Sequence, residues 1–299
     1  MKRFLLSSLL VFYFATLNAV EETTQKLIDS AEFFLLMVKQ ENQLSLRSYA
    51  EPQKIVLEWK AITGAVPGDK EVEGDKKTPE GIYFVTGRIP QSQLLKLHGA
   101  LAFSLGYPND FDKFKKKTGS GIWIHGVDNE SRMEKRFDTR GCIALSNKDV
   151  TELGSYLHYG TPVIIINTKE ELSQWNLEKG LSGPIGQRLQ NWADAWASKD
   201  IEKYISFYNE DFKSRGMGRD AWKTYKNSLN KAYSNIQVQL ANALTIEHPK
   251  YRISLFNQKY ESNRYRAEGL KEIVWVKGGA GEWQILLEEG YQQKTGYIR

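Results

Sequence analysis

The sequence predicts an α+β fold in two domains, the first rich in β-strands and the second with helices ahead of antiparallel strands. Short apolar segments bounded by glycine and proline recur in the first half, as expected of strands. Amphipathic helices open the second half, and a run of strand-like segments closes it. With 299 residues, 41% of them hydrophobic, the chain has enough apolar material for two cores.

Residues 1–19 have the layout of a secretory signal peptide. Lys2 and Arg3 precede an apolar run from Phe4 to Leu17, which is too short to span a bilayer comfortably, and Ala19 offers a small residue for cleavage. We therefore predict that the protein is exported. An uncleaved anchor is the alternative, because Leu17 is larger than the residue usually found near such a cut.

The first domain is predicted over residues 47–170, after a helical segment over 20–46. Leu27, Ala31, Phe34, Leu35 and Val38 recur at helical spacing and predict that helix. The strands of the domain are predicted at residues 54–63, 76–86, 120–125 and 161–167. A helix is predicted between residues 148 and 159.

A polar stretch with two glycines and a proline predicts a linker over residues 171–184, followed by a second domain over 185–299. Leu189, Trp192, Ala193 and Trp196 share one face of its first helix. Two more helices are predicted near residue 201 and over 219–232. Strand patterns follow at residues 236–246, 251–260, 270–276 and 282–288.

Cys142 is the one cysteine of the chain, so it cannot form an internal disulfide. A free thiol in an exported protein is a liability unless it is buried or has a use. His125 closes a predicted strand 16 residues earlier, and Gly141 permits a tight turn before the cysteine. A histidine within reach can take the thiol proton and later pass it to a leaving amine. A Cys/His pair on its own is a weak signal, and a small buried cysteine is the alternative.

Other classes of function have less support. His98, His158 and His248 are scattered and show no paired spacing, so we expect no metal site and no cofactor. The net charge of +5 is mild and spread along the chain, so nothing requires nucleic acid as a partner.

Several segments around Cys142 resemble the signature of the L,D-transpeptidase catalytic domain, also called the YkuD domain. The match rests on segments that occur in the family's order: Thr78-Pro79-Glu80-Gly81, Gly106-Tyr107-Pro108-Asn109-Asp110, His125-Gly126, Thr139-Arg140-Gly141-Cys142-Ile143 and Gly160-Thr161-Pro162-Val163. It covers roughly residues 53–167. The resemblance implies a β-rich catalytic domain in which cysteine and histidine lie on adjacent elements.

The resemblance also implies roles for individual residues. Cys142 would be the nucleophile, His125 the general acid and base, and the carbonyl of Gly126 the acceptor that orients the histidine ring. Backbone N–H groups at Gly141 would stabilise the oxyanion. Substrate contacts are expected by family position from Thr139, Gly141, Tyr107 and Asn109. Trp123 lies two residues before His125 on the same predicted strand, so both side chains share a face, and Trp123 either walls the pocket or packs in the core.

The chain departs from the family at one cation. Many members have an arginine two residues after the cysteine, where this sequence has Ala144, and Arg140 stands on the other side of the nucleophile instead. Arg140 is therefore our candidate for binding a substrate carboxylate. A solvated loop arginine is the alternative.

The second domain resembles the nuclear transport factor 2-like fold, an α+β cone that often holds a pocket. A YkuD domain followed by this cone is similar to the cell-shape L,D-carboxypeptidases of helical Gram-negative bacteria. The resemblance implies a periplasmic enzyme that removes the terminal D-Ala from tetrapeptide stems of peptidoglycan through a cysteinyl thioester. The alternatives are an L,D-transpeptidase that forms cross-links and a non-catalytic wall-binding or glycan-binding protein. Aromatic residues of this domain, among them Trp192, Trp196 and Tyr204, are expected to form an ordinary core, and a pocket for a glycan or protein ligand is the alternative.

Overall fold

The computed structural model describes residues 33–174 and 176–297. The predicted signal peptide and residues 20–32 of the predicted helical segment lie outside the described residues. The chain forms two compact units. Of the described residues, one unit contains those from Phe33 to Leu177 together with Ile246–Tyr251, and the other contains Glu178–Thr245 and those from Arg252 onward. Both are mixtures of helix and sheet, so the α+β class is confirmed.

The first unit is built mainly on one mixed sheet. Its strands are β1 (Phe33–Val38), β2 (Gln43–Ser48), β3 (Ile55–Lys60), β4 (Thr63–Gly64), β5 (Gly81–Pro90), β6 (Leu101–Leu105), β7 (Trp123–His125), β8 (Phe137–Thr139), β9 (Ile143–Ala144) and β10 (Pro162–Ile166). Two short helices join them, α1 (Asp110–Phe114) and α2 (Asn147–Leu153). In the described residues the sheet runs in the order β3-β2-β1-β10-β5-β6-β7-β9, while β4 pairs with β8.

The predicted helix over residues 20–46 is wrong for the part that the structure describes. Phe33–Val38 forms β1, which pairs in parallel with β10 and antiparallel with β2. Six consecutive apolar residues give this strand two apolar faces, as a strand buried on both sides requires. Such a run also satisfies helical spacing, so periodicity alone does not separate the two structures. Asn42, with a φ of 54°, then turns the chain back into β2.

The predicted strands are confirmed around the nucleophile as β3, β5, β7 and β10. Every residue of β10 is buried, because the strand lies between β1 and β5 in the middle of the sheet. Its β-branched residues fit that pleated, fully buried position. The sheet therefore holds β7 and β9, which flank the candidate site, on a rigid support.

A short stretch of later chain completes the first unit. The Tyr251 ring stacks on Phe111 at 4.1 Å, and its hydroxyl accepts a hydrogen bond from the backbone N–H of Ile82 at 2.7 Å. His248 is buried, with Nε2 3.0 Å from the carbonyl oxygen of Ile165, and its Nδ1 accepts the N–H of Lys250 at 3.2 Å.

The second unit contains helices packed on a mainly antiparallel sheet, in which β12 and β17 pair in parallel. Its strands are β11 (Leu177–Lys179), β12 (Tyr208–Ser214), β13 (Met217–Gly218), β14 (Ile236–His248), β15 (Tyr251–Ser262), β16 (Tyr265–Lys277) and β17 (Trp283–Tyr297), and its helices are α3 (Pro184–Ala197), α4 (Ile201–Ser206) and α5 (Arg219–Ala232). Pro184 begins α3 at a position where its missing N–H has no cost. The predicted three helices and four long strands are confirmed. The predicted linker bounds stay a prediction.

The core of this unit is aromatic. Trp192 is fully buried, and its indole N–H donates to the hydroxyl of Tyr208 at 2.8 Å.

None of the helices in the described part of the chain has the length and apolar character to cross a membrane.

Candidate active site

Two adjacent parallel strands bring Cys142 and His125 to one place. Ile124 and His125 of β7 pair with Ile143 and Ala144 of β9, and Cys142 directly precedes β9. The backbone N–H of Trp123 donates to Cys142 Sγ at 3.4 Å, and the Gly121 carbonyl lies 3.5 Å from the same sulfur. The thiol is therefore held against the edge of β7, on the strand that ends in the histidine.

The imidazole of His125 is 2% exposed and has a defined orientation. Its Nδ1 lies 2.5 Å from the carbonyl oxygen of Gly126. A carbonyl can only accept, so Nδ1 carries the proton and Nε2 is the basic nitrogen of the neutral ring. The contact expected for Gly126 is thus present, while its catalytic role stays a prediction.

The turn before the nucleophile is shaped by Thr139 and Gly141. Thr139 Oγ1 accepts from the N–H of Gly141 at 3.1 Å and donates to the carbonyl of Cys142 at 2.7 Å. Gly141 has a φ of 122°, and an added Cβ would lie 2.7 Å from the carbonyl oxygen of Lys77. Only glycine fits this close approach of two backbones.

Cys142 and His125 line one cavity of about 820 Å³. Its wall carries both signs of charge and is formed by Lys70, Glu73, Gly74, Leu95, Leu97, His98, Gly119, Ser120, Gly121, Ile122, His125, Asp128, Arg132, Lys135, Asp138, Thr139, Arg140 and Cys142. The volume suits a short peptide.

Burial favours the neutral forms of both reacting groups. It raises the pKa of Cys142, although the N–H of Trp123 and the charge of Lys70 partly oppose this shift. Burial also lowers the pKa of His125 to about 4. His98 and Arg132 add to that shift, and the hydrogen bond to Gly126 opposes it. At neutral pH the resting site therefore holds a thiol and a neutral imidazole.

Two arginines in the cavity wall differ in their availability to a ligand. Arg132 is bound to Asp128 at 2.9 Å and to Asp138 at 2.7 Å. Arg140 is exposed. Its expected contact with a substrate carboxylate stays a prediction.

The structure places Tyr107 and Asn109 in supporting positions, apart from the residues that line the cavity. Tyr107 is buried and donates to the carbonyl of Thr118 at 3.2 Å. Asn109 caps α1 and donates to the carbonyl of Ile82 at 2.9 Å. Trp123 contributes its backbone N–H to the sulfur, and its ring packs against His98. Their expected contacts with substrate stay predictions.

Sequence reasoning missed His98 and Lys70 as neighbours of the site. The sequence presents His98 only as a potential metal ligand, and nothing in its local sequence links it to His125. Lys70 lies in a loop whose path depends on a buried ion pair with Asp75 at 2.8 Å. Among the residues that the structure describes, no group of three or more His, Cys, Asp or Glu side chains could hold a metal ion.

A second cavity, of about 340 Å³, lies within the C-terminal unit. Lys226 is buried there, with Nζ 3.3 Å from the centre of the Trp196 ring. Within the described residues, Trp196 Nε1 and Gln258 Oε1 are buried in its wall without a hydrogen-bond partner. Such groups are normally satisfied.

Comparisons with known proteins agree with this architecture. Residues 34–165 match the L,D-transpeptidase catalytic domain (YkuD) model, and residues 184–289 match the Cds6 C-terminal NTF2-like domain model. No curated protein matches the chain.

Several solved structures match over most of the chain, and two of them illustrate the likeness. Bd1075 of Bdellovibrio bacteriovorus is 31% identical with a TM-score of 0.71, over 87% of this chain and 92% of that one. The helical cell shape determining protein Pgp2 of Campylobacter jejuni is 28% identical with a TM-score of 0.70, over 86% and 91%. The chain therefore belongs to the L,D-transpeptidase catalytic domain family and carries a C-terminal NTF2-like domain.

Proposed function

We propose that the chain is a peptidoglycan L,D-carboxypeptidase that removes the terminal D-Ala from tetrapeptide stems, leaves tripeptides and thereby influences cell shape. The family and the likeness to Pgp2 support a peptidoglycan function of the L,D-carboxypeptidase or L,D-transpeptidase type. The observation that carries the proposal is the pairing of Cys142 with the oriented His125 in one cavity beside Arg140. Stem peptides are the partner, and no cofactor takes part.

The reaction follows from the resting state. Cys142 Sγ attacks the carbonyl on the L-centre of diaminopimelate as His125 Nε2 takes the thiol proton. The backbone N–H of Cys142 stabilises the oxyanion, because the N–H of Gly141 already donates to Thr139 Oγ1. The C–N bond breaks, His125 returns the proton to the departing D-Ala amine, and a thioester remains. Water then cleaves the thioester, which yields the tripeptide acid and restores the thiol.

Hydrolysis is favoured over cross-linking by the surroundings of Ala144. Its side chain is fully buried and packs in a small apolar cluster with Ile62 and Val127. The position that carries an arginine in many family members therefore provides no cation here.

An L,D-transpeptidase remains the alternative, because an amine of a second stem can resolve the same thioester. A non-catalytic wall-binding protein is the further alternative.

Purified muropeptides incubated with the mature protein decide between these activities. Mass spectrometry should show the loss of one alanine from tetrapeptides with the wild type and no change with Cys142→Ala. New dimers would contradict the proposal and identify a transpeptidase. Identical products from both proteins, with no change from the input, would leave the binding function.

We also propose that the cavity of the C-terminal unit binds a glycan-containing fragment of the same polymer. Aromatic rings suit sugar faces, and the amine of Lys226, 3.3 Å from the centre of the Trp196 ring, is a polar group in the same wall. Calorimetry with a disaccharide-tripeptide should detect binding to the full chain carrying Cys142→Ala, and adding Lys226→Met should abolish it. Equal binding of the sugar-free tripeptide would contradict a glycan site.

The predicted signal peptide over residues 1–19 and the peptidoglycan-directed family together support a periplasmic location. Fractionation of the native bacterium, with a periplasmic marker protein as the reference, tests this location.

A further inference from the structure

A second imidazole lies beside the general base. His98 ends a 3₁₀ turn at Lys96–His98, and its ring centre is 4.9 Å from the ring of His125 at an interplanar angle of 80°. The ring centre of Trp123 is also 4.9 Å from the ring centre of His98. His98 is half-buried and lines the cavity that also contains Cys142.

The distance between the two histidines is fixed by Asn147. Its Oδ1 accepts the N–H of Ala100 at 2.8 Å, and its Nδ2 donates to the carbonyl of Val127 at 2.7 Å. The side chain thus joins the segment after His98 to the segment after His125. Gly99 and Gly126 both approach Asn147 Oδ1 so closely that neither has room for a Cβ. The arrangement is rigid and places two imidazoles side by side.

The ring of His98 has an unused polar atom. Its Nδ1 is buried and has no hydrogen-bond partner among the residues that the structure describes. This nitrogen is closed to solvent, so a water molecule in the cavity can reach only the other ring nitrogen, Nε2. Burial and the charge of Arg132 lower the pKa of His98, which keeps the ring neutral and one nitrogen lone pair free at neutral pH.

We propose that His98 Nε2 holds the water molecule that resolves the thioester. The inference rests on the proposed function and assigns the step that separates hydrolysis from cross-linking. One O–H of the water donates to His98 Nε2, and the other gives its proton to His125 Nε2 as the oxygen attacks the thioester carbonyl. The C–S bond breaks, Cys142 leaves as thiolate and recovers the proton from His125. The tripeptide departs as a carboxylic acid.

The rate at which the thioester on Cys142 decays measures this step separately from the formation of the thioester. The full-length mature enzyme is mixed with disaccharide-tetrapeptide, excess substrate is removed rapidly, and intact-protein mass spectrometry follows the tripeptide adduct on Cys142. His98→Phe keeps a ring against Trp123 but removes both nitrogens. We expect its adduct to decay at least about tenfold more slowly than that of the wild type, while the release of D-Ala in the first turnover slows by much less. His98→Gln, which keeps a polar atom near the Nε2 position, should recover much of the decay rate.

Three outcomes separate the two proposals. Equal decay of the His98→Phe and wild-type adducts would overturn the role of His98, and so would an equal slowing of adduct formation and decay, which a structural role produces. A wild type that forms neither adduct nor tripeptide would instead overturn the proposed function. Matching thermal unfolding curves for the three proteins exclude misfolding as the cause.

Discussion

The Gly126 carbonyl oxygen lies 2.5 Å from Nδ1 of His125, so the nitrogen that His125 can offer as a base is Nε2. In a serine triad an aspartate does this orienting, and its charge also stabilises the imidazolium. A main-chain carbonyl orients the ring but supplies no full charge. This explains why burial determines the pKa of His125 and why the resting pair is neutral.

The first prediction concerns the acid limb of the pH profile. His125 acts as a base only when neutral, and its pKa is lowered to about 4. We therefore expect kcat/KM for tetrapeptide trimming to stay nearly constant as the pH falls from 7 to 5 and to decline near pH 4. Steady-state rates in constant-ionic-strength buffers measure this, with circular dichroism as the check on folding. A limb centred near 6.5, the ordinary histidine value, would contradict the prediction.

The second prediction concerns the glycine before the nucleophile. Gly141→Ala combines a left-handed backbone, which costs a side chain about 1–2 kcal/mol, with a contact against the Lys77 carbonyl. We expect loss of trimming activity and a lower melting temperature. Gly180→Ala is the matched control, because its φ of 83° is also left-handed but no atom lies within 4 Å of the added Cβ. Equal effects of the two substitutions would show that the contact with Lys77 is unimportant.

The third prediction concerns Arg140. If its guanidinium binds the terminal carboxylate of the stem, Arg140→Ala should lower kcat/KM about tenfold, as expected from one hydrogen bond to a charged group. Arg140→Lys should recover part of this loss. A tetrapeptide with an amidated C-terminus is the control substrate, on which wild type and Arg140→Ala should be equally slow. The same penalty on both substrates would argue against carboxylate binding.

The fourth prediction concerns stability in acid. Burial lowers the pKa of His248 to about 4 from its ordinary 6.5, although the Ile165 carbonyl partly opposes the shift. Between these values the unfolded chain binds a proton that the folded chain does not. The free energy of unfolding therefore falls as the pH drops from 6.5 to 4, by up to about 3 kcal/mol from this residue.

Urea unfolding at pH 7 and pH 4.5 tests that prediction. His248→Gln keeps an N–H donor for Ile165 and should lose less stability between the two pH values than the wild type. His158→Gln, at an exposed histidine, should lose as much as the wild type. An unchanged pH dependence in His248→Gln would show that other groups, His125 among them, account for the acid sensitivity.

Patterns of local sequence predicted the fold class, the strands on either side of Cys142 and the helices of the second domain. They failed at Phe33–Val38, since an apolar run buried on both faces satisfies the periods of helix and strand alike. The environment of His125 was also beyond local patterns. His98 reaches the site through a turn whose distance from β7 is set by Asn147, a residue distant in sequence from both histidines.

The position of β10 has a consequence for how the catalytic unit is assembled. Most strands of the sheet pair with strands that are close in sequence, within the two groups β1-β2-β3 and β5-β6-β7-β9. The last strand in sequence, β10, pairs with β1 on one side and with β5 on the other, and so joins the two groups. A chain that stops before Pro162 leaves two unpaired strand edges, which readily recruit other chains. Long-range pairing of this kind is slow. Completion of the sheet, and with it protection from aggregation, therefore depends on five residues that carry none of the chemistry.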